Sequence, residues 1–79
     1  MHATPPHHPL RAAAETYITA RGKPLLLRYN GIRVVKSGYQ LFYTVVMPGK
    51  ASADRIKVCE SKRGRVTGSS DISSQEQSC

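Results

Sequence analysis

The apolar residues of this chain change their period at Pro24, and that switch narrows the folds open to it. From Leu10 to Arg21 they recur at helical spacing: Leu10, Ala13, Ala14, Tyr17 and Ile18 form the stripe of a helix lying on a core. Pro9 suits the start of that helix and Gly22 its end, and Ala12, Ala13 and Ala14 favour helix intrinsically. After Pro24 the period falls to two, and segments 25–29, 32–36, 39–47 and 54–60 are rich in β-branched and aromatic residues. Asn30-Gly31 and Ser37-Gly38 predict tight hairpin turns, and Pro48-Gly49-Lys50 opens a longer connection. The expected class is α+β, with one N-terminal helix packed on a three- to four-stranded antiparallel β-meander.

The two ends read differently from this middle. Residues 1–9 combine Pro5, Pro6 and Pro9 with His2, His7 and His8, and are expected to form a flexible arm. No Cys or carboxylate accompanies these histidines nearby, so they read as surface imidazoles, with no metal or cofactor expected. From Thr67 onward Ser, Gln, Gly and acids dominate, and 67–79 is expected to be a disordered tail. A basic domain over 10–66 remains. A core of that size rarely contributes more than ~3–5 kcal/mol, so a disulfide, a metal, a homo-oligomer or a bound partner ordinarily supplies the rest. Cys59 and Cys79 are too few for a framework of staples. A bridge between them is one reading; the expected one is a free, half-buried Cys59 and a loose Cys79, as in a reducing cytoplasm. The N-terminus lacks the apolar run of a signal peptide, and no stretch approaches the ~20 apolar residues of a membrane span, so the expectation is a cytoplasmic chain without membrane association.

Charge carries the functional signal. All twelve Lys and Arg lie between Leu10 and Val66, where only Glu15, Asp54 and Glu60 oppose them, whereas Asp71 and Glu76 fall beyond. Phosphates neutralised by such a surface release counterions, which makes it a ready binder of RNA or DNA. Strand alternation places Leu25, Leu27, Tyr29, Ile32, Val34, Leu41, Tyr43, Val45, Ile56 and Val58 toward the helix. The opposite face then carries Arg28, Arg33, Arg55 and Lys57 beside Leu26, Val35, Phe42 and Val46. With Lys62, Arg63 and Arg65 from the basic run after Glu60, these cations are the candidate phosphate contacts, and Tyr39 or Phe42 is available to stack on a base. Packing of the aromatics within the sheet is the plainer alternative.

Several chemistries are set aside. No histidine follows His8, so a Ser-His or Cys-His nucleophile lacks its base. The few acids suit neither a two-carboxylate glycosidase nor a two-metal site, and the glycines are scattered turn residues rather than a phosphate cradle. Cations can still assist metal-independent RNA cleavage by stabilising charge on the scissile phosphate while the 2′-hydroxyl attacks.

The succession Gly22-Lys23-Pro24-Leu25, Ile32-Arg33-Val34-Val35 and Gly38-Tyr39-Gln40-Leu41-Phe42-Tyr43-Thr44-Val45 resembles the sheet of the RelE/ParE superfamily of small bacterial toxins. The strand with Arg55-Ile56-Lys57-Val58 and the basic Lys62-Arg63-Gly64-Arg65 continue the likeness, which covers residues 22–65. The resemblance implies a toxin acting on RNA at the ribosome or on gyrase, an acidic antitoxin partner and, if an enzyme, a metal-independent endoribonuclease. Arg33 and Arg63 would then bind phosphate and stabilise transition-state charge. Family members begin with a strand and two longer helices, which this chain lacks, and no residue after Arg65 matches the family's C-terminal catalytic tyrosine or histidine; no catalytic residue is named. The other functional expectations are a non-catalytic DNA-binding module and a protein-interaction adaptor using Phe42 and Val46 on the sheet face.

Overall fold

A computed structural model describes residues 7–71. One helix, α1 (His7–Arg21), precedes four strands: β1 (Leu26–Val35), β2 (Gly38–Val46), β3 (Asp54–Ser61) and β4 (Val66–Asp71). The strands form one antiparallel sheet in chain order, and α1 packs on one side of it, so the class is α+β. No helix among the described residues is long and apolar enough to cross a membrane.

The helical stripe does what its spacing implies. Leu10, Ala14 and Ile18 are buried with Leu41, Tyr43 and Val45 of β2 and Val58 of β3, while Tyr17, Leu27, Tyr29, Ile32, Tyr39, Met47, Ile56 and Val66 pack around them. The helix starts earlier than expected, so 7–9 belong to α1 and not to a flexible arm. Pro9 permits this because a proline in the first helical turn removes a donor that has no partner there anyway. The rest of the arm lies outside the described residues.

Asn30-Gly31 is not a hairpin turn. The segments 25–29 and 32–36 merge into the single strand β1, which pairs along β2 with a bulge between Tyr29 and Gly31. A two-residue turn at 30–31 would set Arg28 directly opposite Arg33, and like charges facing each other across a ladder are destabilising. The observed register sets Arg28 against Thr44 and Arg33 against Gln40 instead. The real turn is Lys36-Ser37, followed by Gly38, where an added Cβ would collide with the Glu60 carbonyl oxygen of β3.

The disordered tail expected from Thr67 is corrected over its first residues, because Val66–Asp71 forms β4 against β3. This strand lacks an alternating apolar pattern; its support is the ladder itself, Val66 packed on the core, and Thr67 Oγ1 donating to the Cys59 carbonyl at 3.2 Å. The turn before it is well made. Gly64 N donates to Ser61 O at 2.8 Å, Ser61 N donates to Arg65 O at 2.8 Å, and Gly64 takes a φ of 82° that suits glycine at this place in a hairpin. The remainder of the expected tail lies outside the described residues.

Candidate nucleic-acid interface

The register of the sheet sorts side chains onto two faces, since successive residues of a strand point to opposite sides. Leu27, Tyr29 and Ile32 of β1 stand opposite Val45, Tyr43 and Leu41 of β2, and Ile56 and Val58 of β3 continue those rows under α1. The other side, which we call the open face, carries three rows across β1, β2 and β3: Arg28, Thr44 and Arg55; then Gly31, Phe42 and Lys57; then Arg33, Gln40 and Cys59. Arg28, Arg33 and Arg55 are exposed, and Lys57 and Phe42 are half-buried. Asp54 and Glu60 belong to the helix side, so no acid stands among these cations on the described strands.

The bulge is what assembles this face. Arg28 and Arg33 are five residues apart, and in an unbroken strand they would point to opposite sides. The extra residue Asn30 restores the phase, and its Nδ2 donates to Thr44 Oγ1 at 2.7 Å on the same face. Phe42 occupies the middle. The Arg33 guanidinium lies 5.9 Å from the centre of its ring, Lys57 is its register partner, and a Cβ built on neighbouring Gly31 would meet nothing within 4 Å. An aromatic with a cation beside it and open space at its flank can stack a planar base while the surrounding charges hold phosphates.

Not every candidate joins this constellation. Lys62, Arg63 and Arg65 sit at the β3–β4 turn, at the end of the sheet shared with Lys36-Ser37, where Gly64 approaches Leu10 of the helix. They form a basic rim rather than part of the open face. Tyr39 is placed on the helix side, packed against the core, so of the two aromatics only Phe42 shares a face with the cations.

The helix side has its own polar device. Tyr43 donates from its hydroxyl to Glu15 Oε2 at 2.9 Å, and Arg11 Nε donates to the same oxygen at 3.1 Å. Arg11 also lies 4.3 Å from the Tyr29 ring centre, and the Tyr29 and Tyr43 rings are 5.6 Å apart. Burial, and then the bond to Glu15, push the Tyr43 hydroxyl pKa up, while Glu15 holds the Arg11 guanidinium more firmly protonated. Glu60 stands alone in contrast: it is 2% exposed, neither carboxyl oxygen has a hydrogen-bond partner, and burial pushes its pKa up to about 7. Sequence reasoning gave Glu60 no role, and its environment was not readable from local pattern.

Cys59 is not free: it is disulfide-bonded. The argument from a free thiol to a reducing compartment therefore falls. Among the described residues no three His, Cys, Asp or Glu side chains gather as a metal site. Comparison with protein-family models, with curated proteins and with solved structures finds no match for this chain.

Proposed function

We propose that the protein is a nucleic-acid-binding module that lays the phosphate backbone of a single strand across its open sheet face. The observation that carries this reading is the gathering of Arg28, Arg33, Arg55 and Lys57 around Phe42 on the side away from the helix. The arginines contact phosphates and Phe42 stacks on a base, with Lys62, Arg63 and Arg65 extending the positive field at one end. The test is fluorescence anisotropy of the reduced protein with a labelled RNA oligonucleotide and with duplex DNA. Affinity should fall steeply as salt rises, and Arg28→Glu with Arg55→Glu should abolish most of it. Salt-independent binding, or none at low salt, refutes the reading; preference for the duplex redirects it to a DNA-binding module.

The more specific proposal is a toxin-like role, acting on RNA, the ribosome or gyrase, in the cytoplasm and under an acidic antitoxin partner. Its support is the order of an Arg33-bearing strand, the Tyr39/Tyr43 strand and the Arg55/Lys57 strand. No bond cleavage is assigned, because among the described residues no group beside the open-face cations is suited to act as a general base. Growth arrest on induced expression tests this role. A protein-docking reading draws on a different observation: Leu25 and Val34 are 72% and 73% exposed on or beside β1, whose outer edge is unpaired within the sheet. Light scattering that finds a tight homo-oligomer indifferent to nucleic acid would favour it.

A further inference from the structure

On the helix side of the sheet the row contributed by β1 is apolar throughout, yet none of it is buried. Leu25, just before the strand, and Val34 are 72% and 73% exposed, and Leu27, Tyr29 and Ile32 are half-buried. The matching row of β2 is Tyr39, Leu41, Tyr43 and Val45, and its last three members are sealed. The difference lies in the course of α1, which runs nearer β3 and β4 than β1. A helix is ~10 Å across and strands stand ~4.8 Å apart, so one helix covers about two strands and a sheet of four has room for a second. Between α1 and β1 that room is a shallow cleft of about 530 Å³, lined by Ala12, Glu15, Thr16, Thr19, Ala20 and Leu27.

The outward positions of an amphipathic helix ordinarily carry charge, whereas Ala12, Thr16, Thr19 and Ala20 are exposed, small and uncharged. Glu15 is the one ionisable residue of the lining, and its Oε2 is already held by Tyr43 and Arg11. No cation lines the cleft, so two copies of a chain of net charge +7 can meet here without setting cation against cation. The surface is also self-complementary. It sets a helix ridge beside a helix-wide vacancy, so a two-fold axis running along the helices places each ridge in the other copy's vacancy. Side chains as small as these let two helices approach to ~8 Å.

We infer that the protein forms a two-fold dimer through this cleft, with the two α1 helices side by side between the two sheets and the open faces turned outward. The shared strip is one helix long and two helices wide, a footprint on the order of 450 Å² per copy, below the ~800 Å² per partner of a standard interface. The dimer is therefore reversible, dissociating at roughly tens of micromolar. The inference uses only the helix side and stands apart from the nucleic-acid reading; where that reading holds, one dimer offers two binding faces back to back.

Sedimentation equilibrium of the full chain tests this between about 1 µM and 500 µM. The mass should climb from 8.7 kDa toward twice that value. A mass that stays at the monomer value, or a doubling that non-reducing electrophoresis traces to covalently joined chains, overturns the inference. Thr16→Arg retains helix propensity and sets a cation against its own copy, so association should weaken at least about tenfold; Ala12→Lys does the same should that variant not fold. Val34→Lys, on the strand side of the strip, should weaken association by a similar factor, and Leu26→Lys, on the open face of the same strand, should leave it unchanged. Equal weakening by both lysine variants means that the copies meet edge to edge, and overturns the cleft as the interface. Finally, a saturating RNA oligonucleotide should leave the protein dimeric. Dissociation by RNA overturns the placement of the interface, whereas a dimer that binds no RNA refutes the nucleic-acid reading and upholds this one.

Discussion

The two faces of β2 are built from the same nine residues and obey opposite physics. Leu41, Tyr43 and Val45 point under the helix and are buried, whereas Phe42, Thr44 and Val46, one position removed from each, lie on the cationic side and are half-buried. One face is held by apolar contact and by the Tyr43–Glu15–Arg11 network. The other holds cations whose mutual repulsion is relieved by spacing: Thr44 stands between Arg28 and Arg55, and Gln40 beside Arg33. Stability should therefore be concentrated on the first face and ligand affinity on the second.

The sharpest way to break this contrast is at Leu41 and Phe42. Leu41→Ala should cost ~2–5 kcal/mol, a large part of the stability of so small a core, measured by urea unfolding. Phe42→Ala should cost clearly less and act mainly on RNA affinity. Equal losses of stability would erase the distinction between the faces.

Glu60 gives the next effect. Its carboxyl has a folded-state pKa of about 7 against an ordinary 4.5, so between those values the folded chain binds more protons than the unfolded one. Its contribution is fully present below the unfolded value and is lost as pH rises through the folded one, ~3 kcal/mol at most. Unfolding free energy should fall from pH 5 to pH 8 in the wild type, and Glu60→Gln should remove most of that slope. A parallel pH profile in the variant would place the carboxyl in contact with water or a partner group.

Smaller effects sharpen the comparison. Tyr43→Phe removes one hydrogen bond to Glu15 and should cost ~1 kcal/mol, read as a lowered Tm. Arg28→Glu with Arg55→Glu should leave stability within about 0.5 kcal/mol while weakening RNA binding strongly. A large loss of Tm in that double variant would mean that the cations support the fold itself.

Much of this was legible before any coordinates. The stripe from Leu10 to Ile18 marked the helix, and alternation assigned Arg28, Arg33, Arg55, Lys57 and Phe42 to one side and the apolar set to the other, except that Leu25 and Val34, expected to cover the helix, lie beyond its reach and are exposed. The misreadings share a cause. Asn30-Gly31 carries the local chemistry of a hairpin turn, but its fate depended on which strand β1 could pair with over its full length. Thr67 to Asp71 has the composition of a tail and becomes a strand because β3 offers a free edge. Tyr39 is a different case: it shares the parity of Leu41 and Tyr43, so alternation alone places it opposite Phe42, although both were offered as base-stacking candidates.

The sequence by itself determined the period of each element and hence the two-faced character of the sheet, because a strand's side chains alternate whatever it pairs with. Only the tertiary structure decided the bulge at Asn30, the fourth strand, the bonded state of Cys59 and the isolation of the Glu60 carboxyl. Each of these depends on groups distant in the chain being brought side by side, and local propensity carries no information about that.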